Sequence, residues 1–305
     1  MDHLLELLDP NTLALIGALF IASARTLYRG ALNTLSPAAT TLMSLLVTAA
    51  FSWGYYFLTG RVENWPLRGV LWFAAVGFTS SLIARYMSFI SINLVGLARG
   101  AVIIQTSLIW SAIMAVFFLG EDFGLGVGLG TLLIMFGSIL LVSEGGGMRK
   151  SIPYHYYLVP ASVALCLALA HYFLKLGFFW LPSASVGMVV STSTALLLLL
   201  AILPFTKEGI QRSWELRPTL FVILGGATNA LAGVLFLSAI KNGKLVEVIP
   251  INRLSVLLII FFSWFFFPKT GGYLVAGDFW RYSLSHGGLD YRLDMRKIAR
   301  HGGSQ

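Results

Sequence analysis

The chain has 305 residues, of which 57% are hydrophobic and only 11% are charged, and its mean hydropathy is +0.81. Soluble domains carry about 25% charged residues, so this composition excludes a soluble protein and indicates one that spans a membrane several times. The formal net charge of +8 lies mostly in loops and in the C-terminal segment. Charge in those places is typical of contact with anionic lipid headgroups, and no nucleic-acid motif accompanies it.

Long apolar stretches follow one another along the chain, each near the ~20 residues that a helix needs to cross ~30 Å of hydrocarbon. Helices are predicted rather than barrel strands, because the stretches are continuous and do not alternate between apolar and polar residues. The sequence therefore predicts an all-α polytopic membrane protein. Its predicted spans are residues 11–32, 37–58, 69–91, 96–119, 124–143, 154–178, 183–205, 218–240 and 245–267.

The apolar stretches repeat at an interval of 146 to 149 residues, so that Gly77 corresponds to Gly226. An internal repeat of membrane spans is a common construction of transporters. We therefore predict two inverted repeats of about five transmembrane helices each. The predicted division is a first repeat in residues 1–145 and a second repeat, with four spans, in residues 146–267.

Residues 268–305 break the repeat, because their scattered charges leave no apolar run long enough to cross a membrane. The repeat predicts a tenth span at this place, so the last helix is either missing or replaced by a polar C-terminal tail. One hypothesis is a shifted reading frame. Suitable synonymous codons for Gly272 to Tyr282, read one base later, encode a sequence typical of a last helix. The alternative is a genuine soluble tail.

Charged side chains inside the spans are candidates for function, because each costs about 2.5–3.5 kcal/mol at a helix centre and needs a partner or a wet cavity. Arg25, Arg85 and Arg253 are three of these. Arg85 either anchors an anionic substrate or bonds to carbonyl groups or to Glu247. Arg99 and Glu247 hold corresponding places near the starts of the fourth and ninth spans. They form either an inter-repeat salt bridge or a substrate or proton site.

Pro250 is predicted to kink the ninth span, because the carbonyl of Val246 loses its usual donor. The kink lies beside Asn252 and Arg253, and Gln105 holds the comparable place in the fourth span. Polar groups of this kind bond either a ligand or another helix. The predicted substrate-binding residues are therefore Arg85, Arg99, Gln105, Glu247, Asn252 and Arg253.

Enzyme signatures are absent from the sequence, which has no HExxH, CxxC or GxSxG motif. We therefore expect no catalytic residues, no metal and no cofactor. The run Gly124–Gly130 holds two overlapping GxxxG spacings, which predict close packing against another helix.

Three short segments resemble the EamA-type branch of the drug/metabolite transporter superfamily over about residues 10 to 267. They are Leu119–Asp122 at the end of the fourth span, the end of the fifth helix at Gly137–Val142, and Leu35–Ala38 before the second span. Lys269 departs from the family pattern, because the second repeat would carry its own Gly-Glu there.

The resemblance implies two five-helix repeats of opposite orientation and passage of small metabolites, often outward, through a central cavity without ATP hydrolysis. The function predicted is a secondary transporter, as an exporter, of a small polar metabolite such as an amino acid or a related anionic or zwitterionic solute. The alternatives are an intramembrane enzyme acting on a lipid-linked substrate and an inactive truncated transporter. The expected partners are a small-molecule substrate and the lipid bilayer, with a homodimer left open.

The predicted location is the plasma or inner cell membrane, crossed several times. The orientation within that membrane stays open. The resemblance places the N-terminus in the cytoplasm, whereas the Lys and Arg residues near the seventh-to-eighth loop favour the opposite orientation.

Overall fold

The computed structural model describes residues 8–59, 64–122, 124–144, 152–203 and 216–266, and no strand occurs among them. Seven of the helices in these ranges are long and apolar enough to cross a membrane, judged by length and composition. The prediction of an all-α polytopic membrane protein is therefore confirmed. The polar tail 268–305, its frameshift hypothesis and the join between the repeats at 145–151 lie outside the described residues.

The described helices follow the predicted spans to within a few residues. Two of them, α4 and α9, are each interrupted near the middle. The helices are α1 (Pro10–Ala31), α2 (Pro37–Thr59), α3 (Leu67–Val95), α4a (Leu97–Ile104), α4b (Ser107–Leu119), α5 (Leu125–Glu144), α6 (Leu158–Trp180), α7 (Ala184–Ile202), α8 (Leu216–Asn242), α9a (Leu245–Arg253) and α9b (Ser255–Phe266).

The start of α1 is encoded locally. The Asp9 carboxylate accepts hydrogen bonds from the backbone N–H groups of Asn11 (3.0 Å) and Thr12 (3.3 Å). Pro10 occupies the first turn, where no intrahelical donor is needed. Such a cap stabilises a helix by about 1 kcal/mol.

The interruptions of α4 and α9 fall at corresponding places in the two repeats. The first lies at Gln105 and Thr106 and the second at Leu254, which follows Thr106 by 148 residues. At both places backbone N–H groups bond the carbonyl three residues earlier rather than four. Tight turns of this kind inside a helix often mark a hinge, and interrupted helices surround the substrate sites of many transporters.

Pro250 lies inside α9a, and the helix continues past it to Arg253 before the interruption. The regular helix thus ends at Leu254, four residues after the proline, and the kink at Pro250 itself stays a prediction. A second departure from regular geometry is a π-helical stretch, Gly77–Ala84, in the middle of α3. The wider turn of a π-helix is frequent at functional sites.

The two repeats have opposite orientations. Gly17 of α1 faces Leu235 of α8, whereas Gly30 at the other end of α1 faces Phe221, so α1 and α8 are antiparallel. In two repeats of the same orientation these helices would be parallel. The inverted arrangement predicted from the sequence is therefore confirmed.

Contacts between the repeats occur in equivalent pairs, in which the same contact is made twice with the roles of the two repeats interchanged. Gly30 of α1 packs on the ring of Phe221 in α8, and Gly177 of α6 packs on the ring of Phe73 in α3. The helix pairs α1 with α8 and α6 with α3 are both in extensive contact, and α2 contacts α7. The repeats thus pack about an approximate two-fold axis, with a polar space at their centre.

Glu121 joins the repeats through a carboxylate at a helix N-terminus. Its two oxygens accept hydrogen bonds from the backbone N–H groups of Leu245 (3.1 Å) and Val246 (3.0 Å) at the start of α9a. Lys175 of α6 donates to the carbonyl of Ile240 (3.2 Å) in the last turn of α8. Each charge lies at the helix end where the macrodipole favours it. This end of the fold is therefore fixed by polar contacts.

Gly126, Gly130 and Gly137 of α5, and Gly124 just before it, have no close neighbour in the described part of the chain. A β-carbon at Gly124, Gly126, Gly130 or Gly137 would meet nothing within 4 Å among the described residues. The close packing predicted from the GxxxG spacing is therefore wrong for the described part of the chain. The spacing marks a smooth helix surface, and it does not identify which neighbour occupies that surface.

Candidate functional site

A cavity of about 200 Å³ lies at the centre of the fold, between the repeats. It is lined by residues of α1, α2, α3, α6, α7, α8 and α9a, together with Ser255 at the start of α9b. The π-helical stretch of α3 contributes Ser80 and Ser81 to its wall. Drug-sized ligands occupy pockets of ~300–1,000 Å³, so this cavity is suited to a small metabolite.

Three arginines give the cavity its charge. Arg25, Arg85 and Arg253 line it, each is half-buried, and no Asp or Glu is among the lining residues. Within the described ranges none of the three forms an ion pair with a carboxylate. A charged side chain at membrane depth is costly without a partner or water, so this arrangement creates a strong attraction for anions.

Arg85 is held in place by α2. Its Nη1 donates to Thr48 Oγ1 at 3.2 Å, and the Ser44 hydroxyl lies 3.5 Å from the same nitrogen. These bonds use one nitrogen of the guanidinium and fix the orientation of the group. A planar guanidinium has five N–H donors, so donors remain for a carboxylate in the cavity.

Arg25 and Arg253 come from α1 and α9a and line the same cavity as Arg85. Like charges at this depth repel, and an anion between them would remove the repulsion. The backbone around Arg253 is fixed from α4, because Gln105 Nε2 donates to the Arg253 carbonyl at 3.4 Å. The two interrupted helices therefore meet at the cavity.

Neutral polar groups complete the wall on the side of the second repeat. His171 of α6 lines the cavity, and its Nδ1 lies 2.9 Å from the Ser111 hydroxyl of α4b. Asn229 and Asn252 also line it, and Asn252 donates to the carbonyl of Ala14 at 3.3 Å. Amide and hydroxyl groups of this kind supply directional hydrogen bonds beside the charges.

The predicted site residues divide into two groups. Arg85, Asn252 and Arg253 line the cavity, whereas Gln105 does not line it and donates a hydrogen bond to the carbonyl of Arg253. Arg99 and Glu247 are not among the cavity-lining residues. Whether any of the six binds a substrate stays a prediction.

The ion pair between Arg99 and Glu247 offered as one alternative is not formed, and one terminal nitrogen of Arg99 is buried without a hydrogen-bond partner among the described residues. The reason is the inverted packing. Helix α9a contacts α4b, and α9b contacts α4a, so α4 and α9 are antiparallel and begin at opposite ends of the fold. Corresponding residues near the two helix starts are therefore kept apart, whereas Gln105 and Arg253 at the centre meet.

Arg25 and His171 belong to the cavity wall but are not among the six predicted site residues. They are 146 residues apart, which is the interval between Arg29 and Lys175 in the repeat. The repeat register could have identified them as equivalent positions facing the same centre. The sequence could not predict that Ser80 and Ser81 face the cavity, because a π-helical turn changes which side chains of a helix face inward.

The fold and the cavity define a class, a multi-pass membrane protein with two inverted repeats around a polar centre. Residues 10–143 match the model of the EamA-like transporter family, which confirms the recognition of an EamA-type transporter sequence over the first repeat. The matched family is one of membrane transporters, which fits the expectation that the chain is not an enzyme.

Other comparisons bear on the fold alone. A solved structure described only as "Crystal structure of protein" has a TM-score of 0.64 and 17% sequence identity, covering 88% of this chain and 90% of that chain. This likeness supports the shared architecture across both repeats. Among curated proteins, none matches the chain.

Proposed function

We propose that this chain is a secondary transporter that carries a small organic anion through the central cavity. The observation that carries the proposal is the set of three arginines, Arg25, Arg85 and Arg253, in a wall without any carboxylate. Arginine binds carboxylates through two parallel hydrogen bonds, which makes an anionic metabolite the best-matched substrate. Amino acids carry the same carboxylate and form the second class to be tested.

The size of the cavity limits the substrate. One water needs about 10–15 Å³ of such volume, so 200 Å³ suits a solute on the order of ten to fifteen non-hydrogen atoms. Small mono- and dicarboxylates such as lactate and succinate, with about six to eight non-hydrogen atoms, lie below that upper limit and fit. Export across the plasma or inner cell membrane is proposed on the family resemblance, which implies outward passage of metabolites.

Counterflow into liposomes tests the proposal. Purified full-length protein is reconstituted with an internal pool of lactate, succinate, alanine or ethanolamine, and entry of the same labelled solute is followed. We expect the two carboxylates to exchange at least about tenfold faster than ethanolamine, since one charge-assisted hydrogen bond contributes ~1.5–3 kcal/mol. Alanine should fall between them. Exchange of ethanolamine in preference to the carboxylates would contradict the proposal.

A further inference from the structure

A second, smaller chamber of about 50 Å³ adjoins the central cavity, between α1, α3, α4a and α9. It shares Ile21, Arg25, Arg253 and Ser255 with the central cavity, so both arginines border both spaces. The rest of its wall consists of small and apolar residues and three serines, with no carboxylate. Charges in such a poorly hydrated space interact much more strongly than in water.

The serines of this chamber differ in their hydrogen bonding. The Ser88 hydroxyl donates to the Ala84 carbonyl of its own helix at 2.6 Å. The Ser91 hydroxyl is buried, with the residue 1% exposed, and it has no hydrogen-bond partner among the described residues. Buried hydroxyls are almost always paired, so an unpaired one beside two arginines indicates a missing acceptor.

The neighbouring helix leaves room for this hydroxyl. Gly100 of α4a faces it, and a β-carbon at position 100 would lie 2.6 Å from Ser91 Oγ. Glycine therefore allows α4a to approach α3 without displacing the hydroxyl group from the chamber wall.

We propose that the chamber is an anion-binding site for a group of carboxylate or halide size, held by Arg25 and Arg253 and by a hydrogen bond from Ser91. A volume of 50 Å³ corresponds to roughly three to five waters, which matches one carboxylate or one halide and excludes a larger solute. The proposal concerns binding, and it stands or falls independently of whether the central cavity transports carboxylates. The anion is either the acidic end of a solute whose remainder lies in the central cavity or a free inorganic ion.

Ser91 and Ser88 provide matched variants. Removing the unpaired hydroxyl in Ser91→Ala takes a donor away from the bound anion, whereas Ser88→Ala removes a hydroxyl that is already bonded to its own helix. The full-length protein in detergent is titrated with sodium chloride and with sodium acetate, and its thermal unfolding midpoint is compared with that in sorbitol, an uncharged solute.

We expect chloride, acetate or both to raise the midpoint of the unmodified protein and of Ser88→Ala, with apparent affinities within about twofold of each other. Ser91→Ala should bind the same anion about tenfold more weakly, while its midpoint in sorbitol is equal to that of the unmodified protein or higher, because an unsatisfied buried group has been removed. Stabilisation by acetate alone identifies a carboxylate end as the ligand, and stabilisation by chloride alone identifies a free halide. Equal affinities in Ser91→Ala and Ser88→Ala, or no stabilisation by either anion, would overturn the proposal.

Discussion

Replacing Arg85 with glutamine is expected to slow exchange of the transported anion by about ten- to a hundredfold. The reason is that Arg85 is fixed by Thr48 and Ser44 of α2, so its remaining donors are oriented toward the cavity before any solute arrives. Glutamine is polar and uncharged, so the variant loses the positive charge and the planar fork. Counterflow in liposomes measures the loss.

The Arg85→Gln variant should lose transport without losing thermal stability. Arg25 and Arg85 line the same cavity and carry like charges, so neutralising one of them removes an unfavourable interaction. We expect the thermal midpoint of Arg85→Gln without substrate to be unchanged or higher. Arg68→Gln is the control, because Arg68 packs over the ring of Trp180 at 4.7 Å and does not line the cavity. Transport by Arg85→Gln at the rate of the control would remove Arg85 from the site.

The second large effect is expected from Gly77→Ala, at the start of the π-helical stretch. A β-carbon there would overlap the Ser191 carbonyl of α7 and press on Thr194, and a backbone carbonyl cannot rotate away. Helices α3 and α7 would have to separate, at a cost of about 1–3 kcal/mol or more for overpacking. We expect a lower thermal midpoint and a lower yield of monodisperse protein.

Gly137→Ala in α5 is the matched control for this substitution. Nothing among the described residues lies within 4 Å of a β-carbon at Gly137, so alanine there gains helix propensity of up to about 1 kcal/mol without a clash. The two glycine variants should therefore shift the midpoint in opposite directions. A Gly77→Ala protein as stable as Gly137→Ala would show that α3 and α7 are not in close contact.

Much of the architecture follows from the sequence because a membrane imposes simple rules. Every backbone group must be bonded within a span, so long apolar runs predict helices. The repeat predicts two equivalent halves. Because the first half has an odd number of spans, the second half begins on the opposite side of the membrane and has the opposite orientation. The pairing of Gly30 with Phe221 and of Gly177 with Phe73 is the direct consequence.

The cavity wall was harder to predict, because lipid is as apolar as the protein interior. Helix α7 has apolar residues on every side and its polar residues Ser191 to Thr194 are consecutive, so no amphipathic pattern indicates which residues face inward. Arg85 and Arg253 could be recognised because a charge inside a span needs an explanation. Arg99 is also a charge inside a predicted span, but it lies near a helix start and away from the cavity. The sequence alone did not distinguish it from Arg85 and Arg253.

The central claim is that a wet, polar passage lies between the two inverted repeats, and cysteine labelling tests it most directly. Cys166 is the only cysteine and can be replaced by serine. Into that background a cysteine is introduced at Ser81, which lines the cavity, or at Leu197, which is 68% exposed on the outside of α7. A membrane-impermeant thiol reagent is then applied to each side of the membrane.

We expect Ser81→Cys to react with the reagent from both sides, and the transported anion to slow that reaction. Leu197→Cys should stay unreactive, because a lipid-facing thiol is out of reach of a water-soluble reagent. If Ser81→Cys is as unreactive as Leu197→Cys when the reagent is applied to each of the two sides, no water-filled passage lies between the repeats.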